Sequence, residues 1–487
     1  MSTENEQKSP NYEELEIDNE KDTKLISKKK SPKKHSTSYS MAPYIIICIV
    51  TLACIFIYNE TFQSNSFAGK DEKKPTGKFT LKLDSPSGKK YEDFNPSSYA
   101  SSLKTYFKSK IVTPVKIIEL KIKPKYEPAL QVTFDMGDSG LKYEVGDTIG
   151  ILPKNADDKV ELFAKKFGYD LEKVITYDVE GDKNGLKLPY PNGMTVRTAL
   201  TELVNLNCLV SDKILAKLQP YVSNDKEKEE IKKILGDEKS IEEYKNKRYN
   251  ILDITEVFPS VKIPFEKLHE ILPFIKPRLY TVASSPNAWP NKFNICITLV
   301  SWKNYKDIEV FGLNSGYLNN MLKTAKLEKT RVIINKGSFK LPDDPKIPIM
   351  MICTGSGISP YIAFLEELKF RGKQPYETYL IYGSKTRKSD FIYEDTLMKF
   401  KEEGVLTDVI TAFSRDQSYK IYVQDRLKER FANKLNDLIK KGLRVYVCGA
   451  GSMGKRIKKV IQESIGDENY KKFIDNKQFI GEFWENK

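Results

Sequence analysis

Histidine is nearly absent: the chain of 487 residues has two, His35 and His269. Neither a histidine metal cluster nor a Ser-His-Asp triad is therefore expected. Cysteine is scarce too, with six residues (Cys48, Cys54, Cys208, Cys296, Cys353, Cys448) and no C-x-x-C pair. That spacing argues against zinc ribbons and four-cysteine iron–sulfur sites, so no metal site is predicted. Scattered single cysteines read as reduced thiols rather than a disulfide framework, which favours a reducing compartment. Only one N-glycosylation acceptor occurs, Asn59-Glu60-Thr61, and no internal repeat is evident.

Charge is abundant, with 80 basic against 66 acidic residues for a net +14. The first 42 residues hold eight acids and eight lysines and net zero, so the excess lies entirely in residues 43–487. No basic stretch is interleaved with aromatics as a base-stacking surface would be, and no nucleic-acid partner is predicted. Residues 1–40 lack hydrophobic periodicity and read as a disordered tail. Met41 to Tyr58 (MAPYIIICIVTLACIFIY) carries no charge. It has about the minimum length for crossing a bilayer. A buried helix or a signal peptide is the alternative, but the hydrophilic leader is long for a signal n-region. A single membrane anchor is expected, followed by a linker over 59–79. Seven lysines in residues 21–40 against four in 59–78 would export the large domain. The thiols and the missing glycosylation sites favour a cytosolic catalytic part at the endoplasmic reticulum.

Residues 80–156 carry strand signals: Lys116 to Lys123 alternates, and Leu141 to Pro153 suggests two short strands around Gly146-Asp147. This segment reads as the first part of an antiparallel barrel. Residues 157–275 are amphipathic and charged, a mostly helical insertion. Strand-like runs return at Arg278 to Ala283, Phe293 to Trp302 and Arg331 to Ile334, so residues 276–345 complete the barrel. From 346 to 487 apolar strands at Ile349, Thr378, Asp408 and Arg444 alternate with helical sequence, which predicts a doubly wound parallel sheet.

The loop after the first of these strands, Cys353-Thr354-Gly355-Ser356-Gly357-Ile358-Ser359-Pro360, combines backbone freedom with good helix-starting residues, a diphosphate cradle. Gly449 to Gly454 is a literal G-x-G-x-x-G. It is neither a P-loop, because Arg456 stands where Ser or Thr is needed, nor a Rossmann start, because too little chain remains after it. Ser414, Arg415, Lys420 and Tyr422 cluster at the third strand's end and suit an adenosine with a 2′-phosphate. Arg278, Tyr280 and Thr281 bring a cation, a ring and a hydroxyl into one short strand.

These motifs, with Tyr143 to Pro153 (YEVGDTIGILP), Gly312 to Ser315, Gly337 to Pro342 and Tyr382 to Leu397, occur in an order that resembles the FAD- and NADPH-binding half of the diflavin reductases. The resemblance spans residues 80–487 and implies FAD and NADPH as cofactors. By it, Arg278 and Thr281 hold the FAD diphosphate and ring edge while Tyr280 stacks on the flavin. Cys296, Ile297 and Thr298 line the isoalloxazine or ribityl part, Trp302 packs on adenine, and Gly312, Leu313, Asn314 and Ser315 contact the FAD diphosphate. Ser356 and Gly357 match the NADPH diphosphate turn. Ser414, Arg415, Lys420 and Tyr422 match the 2′-phosphate and adenine site, so NADPH is preferred over NADH. Thr281, Cys448, Glu482 and Trp484 correspond to the hydride-transfer residues, with Trp484 as a gate.

The family usually has Gly in place of Cys353, Ser in place of Thr281 and Asp in place of Glu482. The resemblance implies a flavodoxin-like FMN domain of about 150 residues ahead of the barrel; the residues before it are read as too few to hold one, so the expectation is a separate acceptor: an acidic flavodoxin-like protein, a cytochrome or a ferredoxin, or a small oxidant. A catalytically idle nucleotide-binding membrane scaffold is the competing expectation; ferricyanide reduction by NADPH separates the two.

Overall fold

A computed structural model describes residues 78–86, 113–123, 129–181, 186, 188–372 and 377–484, all within one compact unit that spans 75–487. The expected tail, anchor and most of the linker lie outside the described residues. Among the described residues no helix is long and apolar enough to cross a membrane.

Six antiparallel strands form the first sheet: β2 (Thr113–Lys123), β3 (Ala129–Asp135), β4 (Thr148–Leu152), β6 (Arg278–Thr281), β7 (Lys292–Thr298) and β10 (Lys329–Asn335). Their order is β6-β4-β10-β2-β3-β7, and a bridge between Val282 and Ile295 joins the two ends into a barrel. The barrel thus closes across the insertion, as the sequence predicts. Its interior holds Ile117, Leu130, Val132, Ile149, Ile295 and Val332, with Phe134 and Phe293 stacked at 4.5 Å.

Three expectations need correction. Residues 141–147 form no strand: Glu144 to Asp147 is a turn with Gly146 at φ +85°, where a Cβ would meet the Phe339 carbonyl oxygen at 2.0 Å. Asp147 is fully buried and ties that turn down, accepting from the Glu144 and Gly337 amides and from Lys336. The run from Phe293 to Trp302 breaks after Thr298, and Ser301–Lys303 (β8) pairs instead with Glu309–Phe311 (β9). The segment Lys78–Asp84 (β1) pairs with Val174–Glu180 (β5) inside the insertion and not with the six-stranded sheet. Local sequence carries β propensity but does not choose a partner some 90 residues away.

The insertion contains seven α-helices among the described residues, at 157–167, 196–202, 212–218, 225–235, 238–246, 251–257 and 265–271. Five of them are capped by a side chain that accepts from their first amides: Thr195, Ser211, Asn224, Asp237 and Asn250. Such caps are worth about 1 kcal/mol each. The helices pack on a core of their own that includes Phe163, Tyr190, Leu200, Ile254, Phe258 and Leu268. Half-buried His269 packs against Tyr190 of that core, and burial lowers its pKa.

The second sheet is parallel: β11 (Ile349–Thr354), β12 (Thr378–Ser384), β13 (Asp408–Phe413), β14 (Arg444–Ala450) and β15 (Phe479–Trp484), in the order β13-β12-β11-β14-β15. Both faces are covered, which explains the unbroken apolar strands. Met351, Cys353, Tyr446 and Cys448 face helix Ser359–Phe370, while Met350, Ile352, Val445 and Val447 face helices Val423–Phe431 and Gly451–Ile465. The last strand is not foreseen from the sequence, whose local pattern leaves residues 479–484 without a secondary structure. The chain runs outward from β11 to β13 and then restarts on the other side at β14, so the switch point lies between β11 and β14. The barrel packs on the first of these faces through Phe339, whose buried ring contacts Tyr361, Phe364 and Tyr446.

Candidate functional site at the junction of barrel and sheet

The carboxyl ends of β11 and β14 carry the two glycine loops, and β14 to β15 pairing sets the chemistry beside them. Cys448 is in register with Cys353 on one side and Glu482 on the other, and Ala450 with Trp484. From the barrel, Thr281 Oγ1 donates to Glu482 Oε2 at 3.0 Å, and Ser338 Oγ donates to Glu482 Oε1 at 3.2 Å. Thr281, Cys448, Glu482 and Trp484 are thus brought together although they span about 200 residues of sequence. Burial, and then the Glu482 carboxylate, push the Cys448 thiol up to about 12, so it is neutral at physiological pH. A neutral thiol can donate a hydrogen bond but does not act as a thiolate nucleophile.

A cavity of about 670 Å³ opens along these strand ends. Its walls include Thr354, Gly355 and Ser356 from the first loop, Ser414 and Tyr422 from the β13 loop, and Trp484. The backbone at Gly357 approaches so closely that a Cβ there would lie 2.7 Å from the Cys448 carbonyl oxygen and 3.1 Å from the Trp484 ring. Thr298 Oγ1 donates to Ser356 Oγ at 3.1 Å and so ties the end of β7 to the same loop. Arg415 and Lys420 are exposed on the segment between Ser414 and Tyr422 and have no ion-pair partner among the described residues.

The barrel side holds a second set. Tyr280 is half-buried, and its hydroxyl accepts from Asn314 Nδ2 at 2.8 Å. Burial raises the pKa of that phenol, so it stays protonated. Asn314 Oδ1 is buried with no partner among the described residues, at the N-terminus of helix Leu313–Thr324, whose N-cap Gly312 supplies no side-chain cap. Ser315 Oγ accepts from the Val300 amide at 2.9 Å. Among the described residues Arg278 donates to the Lys276 carbonyl and forms no ion pair. Trp302 is half-exposed, with its ring 3.7 Å from the position of a Cβ on Gly312. A free guanidinium, an uncapped helix start, an orphan amide oxygen and an aromatic ring fit a flavin dinucleotide with its diphosphate.

The side chains of Cys296 and Ile297 are buried on opposite faces of β7, Cys296 in the core shared with the sheet and Ile297 inside the barrel. Strand alternation sends neighbours to opposite faces, and Thr298 at the end of the strand lines the nucleotide cavity. Residues not foreseen also appear. Ser384, Lys385, Gln424, Ser452, Met453 and Arg456 line the cavity, and Ser338 holds Glu482. Their signal was positional, since each follows the carboxyl end of a strand, but such positions are recognisable only once strand order is known.

Residues 106–317 match the model of an FAD-binding domain, and residues 351–459 that of an oxidoreductase NAD-binding domain. The chain therefore carries an FAD-binding domain followed by an oxidoreductase NAD-binding domain. Among its relatives, the NADPH–cytochrome P450 reductase of Homo sapiens is 30% identical over 354 residues, 69% of this chain and 52% of that protein. The same enzyme from Mus musculus is 29% identical over 354 residues, with the same coverage. That from Drosophila melanogaster is 29% identical over 385 residues, 77% of this chain and 56% of that protein. The chain therefore spans about half the length of the curated relatives it matches. Its cofactors are FAD, in the barrel domain, and NADPH, in the parallel-sheet domain.

Proposed function

We propose that this flavoprotein takes a hydride from NADPH and passes electrons singly to a separate acceptor, and that it does so at a membrane. The observation that carries the reading is the convergence of Thr281, Cys448, Glu482 and Trp484 at the mouth of the nucleotide cavity. Bound FAD supplies the two-electron to one-electron conversion that no side chain can perform. Arg278, Tyr280 and the loop from Gly312 to Ser315 would hold that group. Glu482, fixed through both oxygens, presents a negative charge that favours the positive nicotinamide left when hydride departs. The protonated Cys448 thiol and the Thr281 hydroxyl set donor geometry, and the exposed Trp484 ring covers the site until nicotinamide displaces it.

The relatives' name points to a haem protein as acceptor, and the excess of positive charge favours an acidic one. Residues 41–58 are proposed as the anchor, with the catalytic domains on the cytosolic side of the endoplasmic reticulum. The test is direct: the purified full chain should be yellow, and NADPH should reduce its flavin far better than NADH. A colourless protein that takes up no FAD on reconstitution would sink the reading. Cys448→Ala should slow flavin reduction while FAD remains bound.

A further inference from the structure

Resting on the reading that the cavity takes NADPH, one of its walls carries a further assignment. Two cations line the cavity, Lys385 and Arg456. The acid in the lining, Asp390, has its Oδ2 engaged by the Thr386 amide and hydroxyl, while its Oδ1 is buried with no partner among the described residues. Arg456 stands one turn beyond Ser452 on helix Gly451–Ile465, and both face the cavity. Six other arginines (Arg197, Arg331, Arg371, Arg387, Arg426, Arg430) are paired with carboxylates. Arg456 has no such partner among the described residues. It also sits next to Lys455 near the start of its helix, where the macrodipole disfavours cations unless an anion is bound.

The diphosphate turn from Thr354 to Gly357 offers amides and hydroxyls but no cation, whereas a dinucleotide diphosphate brings two negative charges. Strand order favours the diphosphate for Arg456, and because its helix also packs on helix Val423–Phe431 behind the Ser414–Tyr422 loop, the 2′-phosphate is the alternative that the experiment must separate. With strands about 4.8 Å apart, β14, which leads into the Arg456 helix, lies one spacing from β11 and its diphosphate turn. It lies three spacings, roughly 14 Å, from β13 and the Ser414–Tyr422 loop. We propose that Arg456 is a ligand of the NADPH diphosphate and supplies the charge the glycine turn lacks. Arg415 and Lys420 are left to the 2′-phosphate. Arg456 then sets affinity for any pyridine dinucleotide, while Arg415 and Lys420 set the preference for the phosphorylated one.

Calorimetric titration of the detergent-solubilised, FAD-saturated full chain with NADP⁺, NAD⁺ and 2′-AMP tests the assignment. Arg456→Ala should weaken NADP⁺ and NAD⁺ by the same factor, about tenfold for one charge-assisted contact, and leave 2′-AMP unchanged. Arg456→Lys should restore part of the loss. Arg415→Ala should show the complementary pattern, weakening NADP⁺ and 2′-AMP but not NAD⁺. The proposal is overturned if Arg456→Ala leaves NADP⁺ affinity intact, or if it weakens 2′-AMP in step with NADP⁺ and spares NAD⁺. A wild-type chain that binds none of the three ligands would overturn the reading of the cavity itself.

Discussion

The helical insertion and the walls of the two cofactor sites use the same backbone element differently. In the insertion, five of seven helices satisfy their first amides with a side chain of their own. Where helices begin at the cofactor sites, at Gly312, Ile358 and Ala450, no side chain does so. Open amides at a helix start cost stability unless water or an anion meets them. The insertion therefore satisfies most of its helix starts from within, whereas those at Gly312, Ile358 and Ala450 stay open beside the cofactor sites, as do those of Glu394–Glu402, Leu435–Lys440 and Asp467–Asp475 elsewhere in the parallel-sheet domain.

That contrast can be broken at several points. The largest effect is expected at Glu482: Glu482→Ala should slow flavin reduction by NADPH roughly 10²-fold, as loss of one preorganised electrostatic group does. Its thermal midpoint should stay near wild type, and a large drop in Tm would show that the residue serves folding instead. Asn250→Ala should do the reverse. Losing the cap of helix Ile251–Val257 should cost about 1 kcal/mol in urea unfolding, with NADPH KM and kcat unchanged. An altered KM would mean that the insertion is not a purely structural region.

The smallest effect concerns the contact between the two domains. Glu366, on helix Ser359–Phe370, accepts from the Ser285 amide and the Trp289 ring nitrogen of the barrel. Burial nevertheless raises its pKa. A carboxyl group whose folded pKa is raised contributes stability below its unfolded value that is lost as pH rises through the folded one. Glu366→Gln lacks that titration, so its Tm should gain on wild type between pH 4 and pH 7. A difference that stays constant with pH would count against this account. Neighbouring Glu367 is the counter-example: burial works against its charge, but hydrogen bonds from Ser285, Asn287 and Arg371 hold its pKa below the ordinary value.

Much of the site was legible because its motifs are local. The loop from Thr354 to Gly357 must turn tightly after a strand, and the group from Ser414 to Tyr422 must cluster where its strand ends. Ser338 and Arg456 were not legible in the same way. Ser338 lies inside the Gly337–Pro342 motif and Arg456 just past the glycine loop, yet neither position shows a role until what lies beside it in space is known.

By itself the sequence determined the class of each region: alternating strands for the barrel, amphipathic helices for the insertion, and apolar strands with glycine loops for a parallel sheet. These come from hydrophobic period and turn chemistry, which act over a few residues. Tertiary structure alone decided that β1 pairs with β5, that β15 completes the sheet, and that Thr281 and Ser338 meet Glu482. Such contacts join segments far apart in the chain. Their free energy comes from packing and hydrogen bonding in the assembled fold, which no local window of sequence contains.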